Sequence, residues 1–520
     1  MKNKVNSIGR TVPESVEGLG RFESYRGAFA LIDEERNTPR KAPPMRPEPP
    51  CRSKVRPSLR EAVERSGLQS GMTVSFHHHL REGDAVLPMV LSELEAMGLR
   101  DLTIAPSSLT GAHESVAGLI RRGVVNRIFT SGLRGAVGKA VSCGELDIPV
   151  VIRSHGGRAR AIEEGSIDID VAFLAAPSCD CLGNITGARG ASGCGSMGYA
   201  MLDAQYARHV VAVTDNLVEY PLQSPVSIHQ HQVNSVVRTE SLGDASKIAT
   251  GSARISRNPV DLRIAKNAFD LILASQLMAP GVSFQVGAGG ASLAVAAFVR
   301  DHMKKKGIQG SFGLGGITGY MVEMLEEGLF RSLFDVQSFD AAVRDSLAEN
   351  PRHVEIDQSL YANPFNRGCM VHNLDIVVLA ALDVDTDFNV NVMTGNDGVL
   401  RGASGGHCDT AAGAALSIVV APSFRGGVPT IKDRVQTVVT PGESVDAIIT
   451  ERGICINPLR EDLLAAAARA DLPLRDIEVL KEEVEQLTGR PEKPEFDEDR
   501  VVALVEYRDG TLIDSVYRVK

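Results

Sequence analysis

Short apolar runs recur along the chain, separated by amphipathic stretches. DLTIAP, IPVVIRS, DIDVAFLAAP and HVVAVTD fall between residues 101 and 215, and LDIVVLAALDV and LSIVVAP between residues 374 and 422. Near-continuous runs of this length, bounded by Gly, Pro and Asp, predict strands buried on both faces. MTVSF, ending at Phe76, and GVSFQVG, from Gly281, are two more. Each leads through a histidine- or glycine-rich loop into a helical pattern, with starts expected at Asp84 and Ser292. Strands alternating with helices predict an α/β fold with mainly parallel sheets, and ligands beyond the carboxyl ends of the strands where their order reverses.

The pattern repeats. RGASG occurs at Arg189 to Gly193 and again at Arg401 to Gly405. Similar offsets relate Phe76 to Phe284, GVVNRIF at Gly123 to GLFRSLF at Gly328, and DVAFLAA at Asp170 to DIVVLAA at Asp375. DCLGN from Asp180 likewise faces DTDFN from Asp385. Matches that keep their order indicate a tandem duplication. The domains expected are an N-terminal extension over 1–60, a first unit over 61–240, a second over 241–460 and a C-terminal part over 461–520. The extension holds a proline-rich strap at 38–56. The last part reads as a charged helix over 460–490, a turn-rich break at 490–499 and a β-hairpin about Asp509-Gly510.

Composition acts by exclusion. A net charge of −10 and the absence of tryptophan argue against nucleic-acid binding. No apolar run reaches the ~18–20 residues of a spanning helix, so no membrane partner is expected. The start lacks the apolar core of a secretory signal, and a cytoplasmic location is expected. Cys179, Cys181 and Cys194 lack CxxC pairing and nearby histidines, so they read as reduced thiols and no metal site is assigned. DVDTDFNVN hints at a calcium loop, but Phe388 and Thr394 stand where glycine and glutamate belong.

Three stretches carry candidate chemistry. FQVGAGGASLAV sets Gly287, Gly289 and Gly290 between a strand and a helix, where backbone N–H groups can approach an anion or a developing oxyanion. It lacks the GxGxxG spacing of a dinucleotide site. GASGGHCD, from Gly402 to Asp409, is a comparable tight turn. In SFHHHLREGD, His77 falls in register with Gln285, so His78, His79 and Arg81 occupy the loop at the strand's carboxyl end. Arg81 has the planar fork that suits a carboxylate. Adjacent histidines point in different directions, so one or two of them can simply cap or pack. SSLTGAH, at 107–113, parallels GGITGYM and is placed in the same cleft, while His229 and His231 fit either a linker or a pocket. No GxSxG elbow supports a serine triad.

VGAGGAS paired with GASGGHCD, the intervening GYMVEMLEEGLF, and the strand-turn-strand LDVDTDFNVN resemble the second half of the family I coenzyme A transferases. Over nearly its whole length, including SFHHHLREGD, the proline-rich strap and the tail VEYRDGTLIDSVY, the chain resembles the citrate lyase α-subunit family. The resemblance implies two tandem coenzyme A transferase-like domains and exchange of citrate for the acetyl group of a thioester, giving a citryl thioester and acetate. The thioester is that of acetyl-CoA or of a dephospho-CoA-derived group on an acyl-carrier (γ) subunit, and no cofactor is bound covalently to this chain. A citryl-cleaving β subunit and assembly as a homo-oligomer are also implied. Gly287, Gly289, Gly290, Gly402, Gly405 and Gly406 are assigned to the thioester, and His78, His79 and Arg81 to citrate.

One position departs from the transferase pattern. The nucleophilic glutamate of family I transferases precedes the helix that reads MVEMLEEG here, and its place falls at Gly315. Glycine cannot form a glutamyl anhydride. Glu323 lies eight positions further on, inside the helical pattern with Glu326 and Glu327. The expectation is direct attack by citrate in a ternary complex, with no catalytic residue assigned. The alternatives are transfer to another carboxylic acid, a non-catalytic thioester-binding scaffold, and a sugar-phosphate isomerase-like protein, which the duplication disfavours.

Overall fold

Two large sheets with the same strand order organise the computed structural model, which describes residues 2–30, 40–43, 52–223, 225–249, 255–287 and 289–520. In the first sheet Thr73–Phe76 is central. Leu102–Pro106, Val125–Thr130 and Val150–Arg153 follow on one side, and Val171–Ala175, His209–Thr214 and Ser235–Arg238 on the other, all parallel. In the second, Phe284–Val286 is central, between Gly310–Ile317, Phe330–Ser338 and His353–Glu355 on one side and Ile376–Ala380, Leu416–Val420 and Ala447–Thr450 on the other. The strands correspond one for one. In each sheet the order reverses at the central strand, which opens a crevice beyond its carboxyl end.

The strands hold these places because both faces are covered. Every residue of Leu102–Pro106, Val171–Ala175 and Leu416–Val420 is buried. Each half also carries a small sheet with a shared turn, Ser178–Asp180 with Ile185–Thr186 and Asp383–Asp385 with Val390–Asn391. The Asp180 carboxylate accepts the N–H groups of Leu182, Gly183 and Asn184, and that of Asp385 those of Asp387 and Asn389. Gly183 and Phe388, 205 positions apart (388 minus 183), both adopt positive φ. Both aspartates therefore serve the turn.

The termini depart from expectation. The charged helix at 460–490 is two helices, Glu461–Arg469 and Ile477–Thr488, parted where Asp471 takes φ +52 and Pro473 lacks a donor. The break before the hairpin is shorter than expected, because the strand already begins at Phe496, paired with Val519. The hairpin is not a separate appendage. Phe496–Glu506 joins Val150–Arg153 in parallel, extending the first sheet to ten strands, and Glu506 makes two hydrogen bonds to the Arg153 guanidinium, at 2.8 and 3.0 Å. Of the proline-rich strap, 38–39 and 44–51 lie outside the described residues; Val55–Arg56 form the sheet's far edge strand. Near the start of the chain, Arg10 donates to the Val435 carbonyl at 2.8 Å and lies 3.4 Å from Asp514, so it binds the hairpin to the second half.

One expected helix start holds and the other shifts. The first helix is Val86–Ala96, and Asp84 stands before it with its carboxylate accepting the Val86 N–H at 3.1 Å. The second is Gly290–Lys306, with Ser292 inside its first turn, because glycine at 289 and 290 lets the turn begin earlier.

A buried ion pair of the first half also reaches the second. Arg158, 1% exposed, donates to both oxygens of Asp203 (2.8 and 2.9 Å), to the Ala105 carbonyl (2.9 Å) and to Gln358 of the second half (3.1 Å). Arg158→Met strands the Asp203 charge, so urea unfolding is expected to show a loss of about 3–5 kcal/mol.

Candidate active site

The carboxyl ends of the two central strands open into one cavity of about 560 Å³ between the halves. The first half lines it with His78, Arg81, Ser108, Thr110, Ser131, Arg134, His155 and Tyr199, and the second with Gln285, Gly287, Gly289, Gly316, Gln337, Phe339, Tyr361, Arg401, the Gly402–His407 turn and Arg425. Four arginines face it, and among the described residues that line it there is no aspartate or glutamate.

The second RGASG copy closes the cavity by docking on the first half. Leu133 N–H donates to the Gly402 carbonyl (3.1 Å), Ser404 N–H to that of Ser131 (2.8 Å) and His155 N–H to that of Gly405 (2.8 Å). Such approach excludes side chains: a Cβ on Gly402 would sit 2.0 Å from the Val392 carbonyl oxygen, and one on Gly406 2.6 Å from the Tyr361 hydroxyl. Gly405 has φ +56. The N–H groups of Gly405 and Gly406 donate to no acceptor among the described residues. Gly287 and Gly289 serve differently, since a Cβ on either would meet atoms only at 3.7–4.0 Å, and their lack of side chain leaves open cavity. Gly290 does not line the cavity; it faces Ser256 and Asp261.

The three histidines diverge. His77 Nε2 accepts the Ala175 N–H at 3.0 Å, which binds its ring to the neighbouring strand. His78 points into the cavity, its Nδ1 2.6 Å from Ser107 Oγ and its Nε2 2.9 Å from the Gln337 amide nitrogen. Gln337 donates to Nε2, so the His78 proton sits on Nδ1. His79 does not line the cavity: its ring is fully buried, with Nδ1 3.0 Å from an Asp84 oxygen. Among the described residues Arg81 makes no ion pair; its guanidinium stacks over Phe339, 4.4 Å from the ring centroid. Burial first, then the nearby Arg134, lowers its proton affinity, and the neighbouring Glu82 only partly opposes them.

Several lining groups were not singled out from the sequence. Tyr199 reaches His155 Nε2 at 2.9 Å, and Gln285 donates to the Tyr361 hydroxyl at 3.0 Å. His407 bonds Thr440 through Nδ1 (2.7 Å) and the Ala380 carbonyl through Nε2 (3.2 Å). Arg401 opens the second RGASG copy and His407 follows it by two residues, so the repeat itself could have pointed to them. Ser108 and Thr110, in the SSLTGAH stretch, line the cavity, whereas His229 and His231 do not.

Gly315 lies behind Gln285 at φ +102, where the strand Gly310–Ile317 bulges. A Cβ there would meet the Gln285 amide at 2.8–3.0 Å. No glutamate fits this backbone without displacing Gln285. Glu323 is on the outer surface, paired with Arg300 at 2.7 Å.

Two sheets of one strand order, with an arginine-lined cleft between the ends of their central strands, define a duplicated coenzyme A transferase-like protein. The sequence model of the family described as citrate lyase, alpha subunit, matches residues 52–519. The citrate lyase alpha chain of Klebsiella pneumoniae is 51% identical over 467 residues, covering 90% of this chain and 92% of that one. That of Escherichia coli K12 is 51% identical over 463 residues, 89% and 90%. The crystal structure of the alpha subunit of citrate lyase from Streptococcus mutans, in complex with citrate, superposes with a TM-score of 0.94 at 49% identity over 99% of this chain and all of that one. A Pseudomonas malonate decarboxylase shares the fold at 16% identity, with a TM-score of 0.60 over 85% of this chain and 88% of its own. The chain belongs to the citrate lyase α-subunit family. Among the described residues no helix is long and apolar enough to cross a membrane.

Burial holds the cavity histidines below the ordinary imidazole range, His155 at about 3 and His407 at about 4. A lowered imidazole pKa means a neutral ring at every pH above it. Carbon-13 histidine spectra are therefore expected to keep these two rings in the neutral form from pH 8 down to pH 5; a protonation midpoint near 6.5 would refute the buried geometry.

Proposed function

We propose that the chain binds citrate and an acetyl thioester side by side in this cavity and transfers the thiol from acetyl to citrate. The observation that carries this reading is an arginine-lined cleft without a carboxylate, in a chain about half identical to citrate lyase alpha chains. The thiol belongs to acetyl-CoA or to the prosthetic group of an acyl-carrier subunit, and a further subunit cleaves the citryl product.

The reaction needs no enzyme nucleophile. A citrate carboxylate oxygen attacks the acetyl carbonyl carbon, the C–S bond breaks and the thiolate leaves with its electron pair. The thiolate then attacks the citryl carbonyl of the mixed anhydride, and acetate departs with the bridging oxygen. No proton is gained or lost, which suits a cavity whose histidines are neutral. Arg81, with Arg134 and Arg401 nearby, offsets the charge of citrate, and His78, its ring nitrogens held by Ser107 and Gln337, lines the cavity beside it. Gly405 and Gly406 line the cavity, and their N–H groups, unpaired among the described residues, are donors for the developing oxyanion. Two anions held in attack-ready contact supply most of the rate advantage.

The test mixes the purified chain with acetyl-CoA and citrate and follows acetate and citryl-CoA by mass spectrometry. Citrate-dependent release of both is expected; no turnover, even with acetylated carrier subunit, would leave a scaffold role instead. Arg81→Ala is expected to raise KM for citrate about 10- to 100-fold, the loss of one or two charge-assisted hydrogen bonds. Gly315→Glu is expected to lose activity rather than gain a covalent route, because it must expel Gln285.

A further inference from the structure

Beneath the loop that carries His78 and Arg81 lies a buried set of titratable side chains for which the transfer chemistry has no use. Asp84, His79 and His113 have side chains 1%, 0% and 0% exposed. Asp84 Oδ2 accepts from His113 Nε2 at 2.8 Å, and Oδ1 accepts the Val86 N–H at 3.1 Å while facing His79 Nδ1. Burial alone would raise the Asp84 pKa, but the bonds from His113 and His79 outweigh it and hold the carboxyl well below the usual range.

Hydrogen bonds link this carboxylate to Arg81 through His113 and Thr110. Thr110 N–H donates to His113 Nδ1 at 3.0 Å, so the lone pair is on Nδ1 and the proton of the neutral ring is on Nε2, towards Asp84. The Thr110 hydroxyl donates to the Arg81 carbonyl at 3.1 Å. Carboxylate, imidazole and threonine thus end on the backbone of the residue whose guanidinium enters the cavity.

That backbone needs holding. Arg81 adopts φ +55, which a residue with a Cβ rarely takes. On its far side the chain is already clamped: Ala85 N–H donates to the Leu242 carbonyl (3.0 Å), Asp244 N–H to that of Gly83 (2.9 Å), and a Cβ on Gly83 would sit 2.0 Å from the Asp244 oxygen. With Gly83 fixed and His77 tied to the sheet, the turn at Arg81 is the part of the loop free to relax.

We propose that Asp84 is a positioning residue: through His113 and Thr110 it holds the left-handed turn at Arg81 and so aims the guanidinium into the cavity at the carboxylate substrate. This rests on the reading of the cavity as a citrate site. A buried carboxylate suits the task better than an apolar residue because one oxygen holds the His113 ring while the other accepts the Val86 N–H and faces His79. Asp84→Asn keeps the shape but sets an amide donor against one of those donors.

A merely structural role would destabilise the fold without depending on Arg81, and a double-mutant cycle separates the two. Citrate binding is measured by calorimetry, to millimolar citrate, for the unsubstituted chain, Asp84→Asn and Thr110→Val, each with and without Arg81→Ala. Asp84→Asn is expected to weaken citrate binding about 10-fold and Thr110→Val about threefold when Arg81 is present, and both less than about twofold when it is absent. KM for acetyl-CoA is expected to stay within about twofold. Equal losses with and without Arg81, a matching rise in KM for acetyl-CoA, or unchanged citrate affinity would overturn the proposal. If Asp84→Asn fails to fold, the Thr110→Val cycle decides alone. No citrate binding by the unsubstituted chain would overturn the citrate reading itself, an outcome distinct from the others.

Discussion

The reciprocal docking of the two RGASG segments is the constraint from which the rest of the architecture follows. Each half sends its copy onto the strand ends of the other. The second copy meets Gly132, where a Cβ would lie 2.2 Å from that of Ala403, and the segment just before it presses the Leu400 carbonyl oxygen to 2.2 Å from a Cβ on Gly138. The residues after the first copy meet Ser338, with Ser196 N–H donating to its hydroxyl at 3.0 Å and a Cβ on Gly195 only 2.0 Å from it. Backbone at such range leaves no room for substitution. It also places the carboxyl ends of both central strands on opposite walls of one cleft, so that neither half holds the site alone.

The cleft's electrostatics run against those of the whole chain. A protein with net charge −10 keeps four arginines and, among the described residues, no carboxylate around the cleft. The acids near it do not line it: Asp397 pairs with Arg401 and Glu82 lies 3.8 Å from Arg134, each beside a cavity arginine, and Asp84 lies beneath the histidine loop. A low-dielectric cavity of this kind is costly when empty of anions and selective for substrates that bring them.

Much of the fold was legible because its strands are apolar on both faces and the unit occurs twice. Register alone set His78 and Arg81 at the end of the first central strand, opposite Gly287 and Gly289. The neighbouring His79 was not separable by the same logic. The directions of these rings are decided by partners that register does not reveal, the Ala175 N–H and Ser107, both distant in sequence, for His77 and His78, and the nearby Asp84 for His79. Tyr199, Tyr361 and Gln337 were illegible for a related reason, because their place depends on packing across the two halves. The C-terminal hairpin was plain from its alternation and Asp-Gly turn, but strand pattern says nothing of which sheet edge a hairpin joins; the Arg153–Glu506 pair selects it.

The central claim is that the thiol passes between two substrate carboxyl groups without visiting the enzyme. A single turnover with enzyme in excess, citrate labelled with oxygen-18 in its carboxylates, and acetyl thioester tests it most directly. Direct exchange moves one labelled oxygen into the acetate released in that first turnover and leaves the protein unlabelled. Acetate without label, with oxygen-18 appearing instead in a glutamate or aspartate side chain, would contradict the account and require an enzyme carboxylate in the path.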